Sequence, residues 1–408
     1  MPLSDVSISL GNGNLGRLPN SEDGIAAIVV SGVAVGGSFA LGEVLGPFLS
    51  LKDAEDMGIT AAYDVTNTCM AHSHIKDFYA AAGSGNQLYV MVVAKTVTLA
   101  QQAANAGVYA KTLLATALGK IRFLGLTRVP DGAYTPTYAN GLDTDITAAI
   151  AALKVMHAAE FTDHRPVRFV VEGRDWQGNA GTTLDLTDTA TGPNANQVML
   201  VIGQNRDAAA LHAGAAESAA VGLMLGTLAA NRVHYSAARV KSGMLPIDNV
   251  GLSDGTAITA MTTTDLNALN DKSYVFIRAI TGVAGKFWNS DFMACPETDD
   301  YCFMSRGRVI DKAARITYAT YVTELNDDVE IGSDGKMAAA VIKNYESILE
   351  TAIGTQMAGE ISDVSVYIDP NQNVLANDTI NVEVSIIPRG LARFITVTLA
   401  YSNPFQTT

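Results

Sequence analysis

Asn67-Thr68-Cys69-Met70-Ala71-His72-Ser73-His74-Ile75-Lys76-Asp77-Phe78-Tyr79-Ala80-Ala81-Ala82, then Gly83-Ser84-Gly85, then Gln87-Leu88-Tyr89-Val90-Met91-Val92-Val93, decides the fold class. The first run reads as a helix, the glycines as a break, and the last run as a buried strand. Working outward, the same alternation repeats. Ile25–Val35 reads as a buried strand, and Ser50 caps a short helix over Leu51–Met57. Helices are predicted over Leu99–Leu118, Asp143–Glu160 and Arg206–Ala230, the last interrupted by glycines. Strands are predicted over Lys120–Leu126, Val167–Glu172, Val198–Ile202, Val233–Tyr235 and Tyr274–Ile280. This order predicts an α/β fold with a mixed, largely parallel sheet flanked by helices.

Beyond about residue 300 the character changes. Gly307–Leu325 and Lys336–Met357 read as helices, and Met337, Val341, Ile342, Tyr345, Ile348, Leu349, Ala352, Ile353 and Met357 share one face of the second. Asp334-Gly335 marks its start and Gly359 its stop. Strands follow at Val364–Ile368, Ile380–Ile387 and Phe394–Tyr401, giving a compact α+β C-terminal unit with extended terminal strands. In the last strand Ile395, Val397 and Leu399 lie opposite Phe394, Thr396 and Thr398, the period of a half-buried strand. With nothing beyond it to cover its edge, it pairs in its own sheet or with another copy. At the other end Leu3, Val6, Ile8 and Leu10 form a short strand, and Gly11–Asn20 is a Gly- and Asn-rich linker, so residues 1–20 read as an arm. The expected divisions are the arm at 1–20, an α/β region at 21–285 and an assembly core at 286–408.

The chain has 408 residues, is 48% hydrophobic and only 17% charged. Such a chain buries large cores and suits a surface partly covered by other copies. A net charge of −14 disfavours nucleic acid, which needs a basic patch. Three cysteines, Cys69, Cys295 and Cys302, give no disulfide framework and read as free buried thiols. No secretory leader and no membrane span are expected.

Motifs that carry chemistry fail on context. Gly11-Asn12-Gly13-Asn14-Leu15-Gly16 matches a dinucleotide fingerprint, but Arg17-Leu18-Pro19 follows it instead of a helix start. Gly251-Leu252-Ser253-Asp254-Gly255 matches a nucleophile elbow, yet the last histidine is His234, so the acid-then-histidine order is unattainable and a surface loop is expected. Gly282–Lys286 continues with Phe287 and lacks a hydroxyl residue for Mg²⁺. His72 and His74 point to different faces of their helix and read as surface or interface residues, not as a metal pair. No catalytic, metal or cofactor residues are assigned. One charge pattern stands out: Arg308, Lys312 and Arg315 share a helical face, beside Arg306. It serves either internal pairing, with Asp311 or the acidic run after Glu324, or contact with a neighbouring subunit or partner.

Several segments together resemble the contractile tail sheath proteins of phage tails and phage-like injection systems. Gly42-Glu43-Val44-Leu45-Gly46-Pro47 with Leu49–Gly58 is similar to a stretch near a sheath N-terminus. Ile75–Gly83 with Leu88–Val93 resembles the sheath helix that precedes a buried strand. Leu266–Asn270 with Tyr274–Arg278, then Asp299-Asp300-Tyr301, Arg308–Arg315 and the final strands, complete the order of parts. One departure is Asp299–Cys302, where a segment common in many sheaths is missing.

The resemblance implies a structural subunit without an active site or cofactor. It implies stacked hexameric rings around an inner tail tube protein, with baseplate and tail terminator proteins as further partners, and contraction that drives the tube through a target envelope. It implies assembly in the bacterial cytoplasm, with no nucleic acid partner and no membrane insertion. Strand exchange between subunits would use Val6, Ile8 and Leu10 of the arm, and Phe394, Ile395, Val397 and Leu399 of the last strand. Tube or neighbour contacts would fall on Arg308, Lys312 and Arg315, or on Lys343, Glu346 and Glu350 of the helix Lys336–Met357. The rival readings are a nucleotide-binding enzyme with a Rossmann-like domain, which would need a phosphate loop leading into a helix, and another self-assembling tube or shell protein.

Overall fold

The computed structural model describes residues 22–401. The strand residues Val6, Ile8 and Leu10, and the glycine-rich linker, lie outside the described residues. The chain divides into two compact units, Met1–Asp327 and Asp328–Thr408.

The first unit is built on the all-apolar run that forms β1 (Ala26–Gly32), buried at every position. Around it lie β2 (Val44–Phe48), β3 (Leu88–Ala94), β4 (Phe123–Leu126), and further on β7 (Arg168–Glu172) and β8 (Val198–Val201), after the two-residue strands β5 (Tyr138–Ala139) and β6 (Leu142–Asp143). Their order in the sheet is β2-β3-β1-β4-β7-β8. β1 runs parallel to β3 and β4, β4 to β7 and β7 to β8, while β2 is an antiparallel edge. This is a doubly wound arrangement, in which the chain leaves β1 first to one side and then to the other.

Helices fill the crossovers. α1 (Leu51–Asp56), α2 (Ala61–Asn67) and α3 (Ala71–Ala82) link β2 to β3; α4 (Leu99–Gln102) and α5 (Ala110–Thr116) link β3 to β4; α6 (Thr144–Thr162) leads into β7. The expected cap at Ser50 is present as a capping box with Asp53. Three predicted helices are broken. Thr68 takes a left-handed conformation that ends α2, and the Asp64 carboxylate then accepts the main-chain N–H groups of His72 and Ser73 to start α3. Leu99–Leu118 divides around the turn at Gly107. Arg206–Ala230 divides into α7 (Arg206–Ala209) and α8 (Val221–Ala230), with short turns between.

α3 and α8 pack closely because Gly222 and Gly226 face the carbonyls of His74 and Phe78, where an added Cβ would collide. His74 is buried in this contact and His72 beside Glu55, not at the surface as expected. Val233–Tyr235 forms a turn, closed by Tyr235 N–H on the Arg232 carbonyl, instead of a strand. The small strands β9 (Gly203–Asn205) and β10 (Val250–Leu252) pair with each other. α9 (Thr263–Asp271) precedes the hairpin of β11 (Ile277–Ile280) and β12 (Val283–Trp288), and Gly282 in its turn adopts positive φ. α10 (Met304–Tyr321) belongs to this unit. Its Asp311 carboxylate forms a buried two-point pair with Arg168 of β7, with nitrogen–oxygen distances of 2.7 and 2.7 Å.

In the second unit α11 (Ala339–Gln356) covers one face of a two-stranded sheet of β13 (Ile361–Tyr367) and β14 (Glu383–Pro388), with α12 (Val374–Asn377) between the strands. Ile342, Tyr345, Leu349 and Ile353 are buried along the predicted apolar face. Val366 and Ile368 are buried, while Asp363, Ser365 and Tyr367 are exposed. The third expected strand is absent: residues 389–401 pair with no strand. A β-strand needs a neighbour to satisfy its main chain, and in the single chain this segment has not taken one.

Candidate assembly interface

Doubly wound folds bind ligands beyond the carboxyl ends of the strands, where helix N-termini offer unsatisfied N–H groups. Here the chain's own carboxylates occupy those groups. Asp145 accepts from the N–H groups of Leu99 and Ala100 at the start of α4, at 2.8 and 2.9 Å. Arg128 pairs with Asp145 at 3.0 Å and lies over the Tyr134 ring. Glu172, at the end of β7, accepts from the N–H groups of Arg128 and Ala219 at 2.7 and 2.9 Å. Gln102 donates to the carbonyl of Thr127. Ser253 of the elbow-like motif is fully buried and donates to the carbonyl of Gly173, so the surface loop expected there is an interior strand end.

The basic stripe also turns inward. Lys312 Nζ lies 2.6 Å and Arg315 Nη2 3.0 Å from the two oxygens of Asp23, and Arg308 Nη2 donates to the carbonyls of Asp23 and Asn231. Burial alone would raise the Asp23 carboxyl, but the Lys312, Arg315 and Arg308 charges overcome that and hold it below the ordinary carboxylate value. Arg308, Lys312 and Arg315 are therefore engaged within the first unit. Internal pairing is what the structure contains, with Asp23 as the acid in place of Asp311. Sequence reading missed Asp23 and Arg168, because residues so distant in the chain leave no spacing signal.

On α11, Lys343 is exposed and reaches Glu346 at 2.5 Å. Glu346 and Glu350 turn toward the hairpin: Glu346 accepts the N–H of Ile368 and Glu350 that of Val366, both at 2.9 Å. The Lys343 ammonium and the Ile368 N–H hold the Glu346 carboxyl below its ordinary value. Of these three expected contact residues, only Lys343 presents its charge outward.

The largest apolar exposure lies in the C-terminal segment. Phe394 and Leu399 are each 91% exposed, and Ile395 and Val397 are 80% and 70% exposed. Side chains of this kind, alternating along an extended segment, are the ingredients of a strand awaiting a sheet.

Family profiles match residues 3–291 as the DUF2586 N-terminal domain and residues 300–406 as the DUF2586 C-terminal domain. The chain belongs to the DUF2586 family. No curated protein sequence matches this DUF2586 chain. Among solved structures it is similar to the helical sheath of the anti-feeding prophage in its contracted state, at 14% identity and a TM-score of 0.62 over 98% of this chain and 100% of that one. It is also similar to a chain of the sixfold-symmetrised baseplate of the same particle, at 13% identity and a TM-score of 0.58 over 98% and 99% of the two chains. A third similar structure is the contracted sheath complex of the extracellular contractile injection system PVC, at 12% identity and a TM-score of 0.55 over 98% of both chains. The α/β fold of this DUF2586 chain is thus similar to that of chains in contractile sheath structures over nearly its whole length.

Proposed function

We propose that this protein is the structural subunit of a contractile tail sheath. It polymerises as stacked hexameric rings around an inner tube and contracts to drive that tube through a target envelope. The observation that carries this reading is coverage: the likeness to chains of two contracted sheath structures and of a contractile-particle baseplate spans essentially the whole of both partners. The exposed apolar segment 394–399 supports it, because strand addition between copies supplies main-chain hydrogen bonds that survive rigid-body rearrangement.

In this reading Phe394, Ile395, Val397 and Leu399, together with Val6, Ile8 and Leu10 of the arm, are exchanged between subunits. Residues 286–408 form the assembly core facing the tube, and 21–285 form the outer part. The tube protein, baseplate and terminator are the partners, and the chemistry is mechanical, with no catalytic residue. Assembly takes place in the bacterial cytoplasm, and the product is a phage tail or a phage-like particle.

Negative-stain electron microscopy of the purified protein, with and without a candidate tube protein, tests the proposal. Hollow helical tubes with sixfold rings are expected. Monomers or small closed oligomers under all conditions would overturn it.

A further inference from the structure

A groove in the first unit carries charge of the sign opposite to that of the whole chain. It lies between the ends of α3 and α8, the loop 231–246 and β12, and has a volume of about 450 Å³. Trp288, Tyr235, Met244, Arg232 and Arg239 line it, and none of the described residues around it is acidic, in a chain with 41 acids and 27 bases. The Arg239 guanidinium lies 4.0 Å from the centre of the Tyr235 ring and donates to Ser242 Oγ, which donates in turn to Asn231 Oδ1. A guanidinium held in this way loses little freedom when it meets a carboxylate. Arg232 is exposed, and among the described residues neither arginine has an ion-pair partner. Met244 is 64% exposed, so an apolar contact stands open beside the two cations.

The complementary chemistry occurs once in the sequence. Glu324-Leu325-Asn326-Asp327-Asp328-Val329-Glu330 is its densest run of acids. Leu325 is 67% exposed within that run, and Asp327, Asp328 and Glu330 are exposed around it. The segments outside the described residues, 1–21 and 402–408, hold a single acid, Asp5, so neither offers such a run. Helix α10 keeps a chain's own run away from its own groove. Arg308 of α10 donates to the carbonyl of Asn231, which lines the groove. From there α10 travels about 20 Å to its last residue, Tyr321, before the run begins. We propose that the groove takes residues 324–330 of a second copy, with Leu325 against Met244 and the carboxylates of the run on Arg232 and Arg239. The apolar contact supplies attraction, and the charges select this segment and fix its register. The proposal rests on the sheath reading for the presence of the second copy.

Disulfide trapping between two variants of the full chain tests it. Met244→Cys chains are mixed with Leu325→Cys chains, so a heterodimer joins two copies by construction. The native thiols Cys69, Cys295 and Cys302 are buried and do not compete. Val108→Cys, at a position 66% exposed between α4 and α5, replaces Leu325→Cys as the control. The expected heterodimer yield is about tenfold above that control and falls as salt rises. Arg232→Glu with Arg239→Glu on the first chain should lower the yield about tenfold, and Asp327→Arg with Asp328→Arg on the second chain should do the same. Combining the two reversals should restore at least half of the yield. A yield equal to the control, a yield unchanged by either reversal, or no recovery on combining them would overturn the proposal. Tubes of the parent chain in the microscope without heterodimers would remove the groove contact and leave the sheath reading standing. Heterodimers without tubes would keep the contact and remove the sheath reading, and absence of both would remove both.

Discussion

The buried pair between Arg168 and Asp311 is the most exacting test of how the first unit is held together. Each side chain is 4% exposed. Besides the two 2.7 Å contacts with Asp311, the guanidinium donates to the carbonyls of Asn196 and Gly307. Gly307 is tightly constrained, since a Cβ there would press on the guanidinium carbon at 2.7 Å. In Asp311→Asn the buried cation stays but loses its counter-charge. Removing one partner of a buried pair costs about 3–5 kcal/mol, because the remaining charge is uncompensated. With a urea m-value near 3 kcal/mol/M, the unfolding midpoint should fall by roughly 1–1.7 M. Trp176 and Trp288 are both fully buried in this unit, so tryptophan fluorescence reports its unfolding. Arg168→Met with Asp311→Leu removes both charges and should recover at least half of the loss, although two carbonyls lose a donor. A stability for Asp311→Asn within about 0.5 kcal/mol of the parent, or a double variant no better than the single one, would refute the reasoning.

Asp77 and Asp23 should give opposite pH dependences. Burial pushes the Asp77 carboxyl up to about 6, against the hydrogen bonds it accepts from Asn205. A raised acid favours the folded state below its unfolded value near 4 and loses that contribution as pH rises through 6, so Asp77→Asn should add about 2–3 kcal/mol at pH 7 and remove that slope in urea titrations. The Asp23 carboxyl is depressed, so its contribution is complete above the unfolded value near 4 and is lost as pH falls through the lower folded value. The stability gap between the parent and Asp23→Asn should therefore be widest near neutrality and close in acid. Gly222→Ala should cost about 1–3 kcal/mol in thermal or urea unfolding by forcing α8 away from the His74 carbonyl. Ile395→Asp with Val397→Asp should leave the circular dichroism and stability of the monomer unchanged, since both positions are exposed, and abolish polymers in the microscope.

The strands of the sheet were legible because burial on both faces demands unbroken apolar runs, as in Ile28-Val29-Val30 and Val90-Met91-Val92. Helix α11 was legible from its apolar face. Breaks within helices were less so. Thr68 ends α2 through a left-handed conformation that its own chemistry does not announce, and Asp64 starts α3 from outside the helix it caps. The direction of the basic stripe was open in the sequence because periodicity shows which residues share a face and not what that face meets. Asp23 decides it from the far end of the chain. The terminal strand was legible as a pattern, but a pattern becomes a strand only when an edge is supplied, and one copy of the chain leaves Phe394–Tyr401 without it.

In the sheath reading proposed above, the same distinction explains how a ligand-binding topology would serve a structural role. A doubly wound sheet creates unsatisfied N–H groups at helix starts beyond its strand ends. In an enzyme those groups are left for a substrate or cofactor. In this chain Asp145 takes those of α4, Asp64 takes those of α3, and Glu172 takes those of Arg128 and Ala219. Each carboxylate is supplied by a neighbouring segment, so the groups that would bind a ligand instead join one loop to the next. The second unit differs: its described sheet has two strands, and the apolar side chains of Phe394, Ile395, Val397 and Leu399 are exposed. In the sheath reading proposed above, carboxylates that tie the loops of the first unit together would help a subunit keep its own shape while its neighbours move.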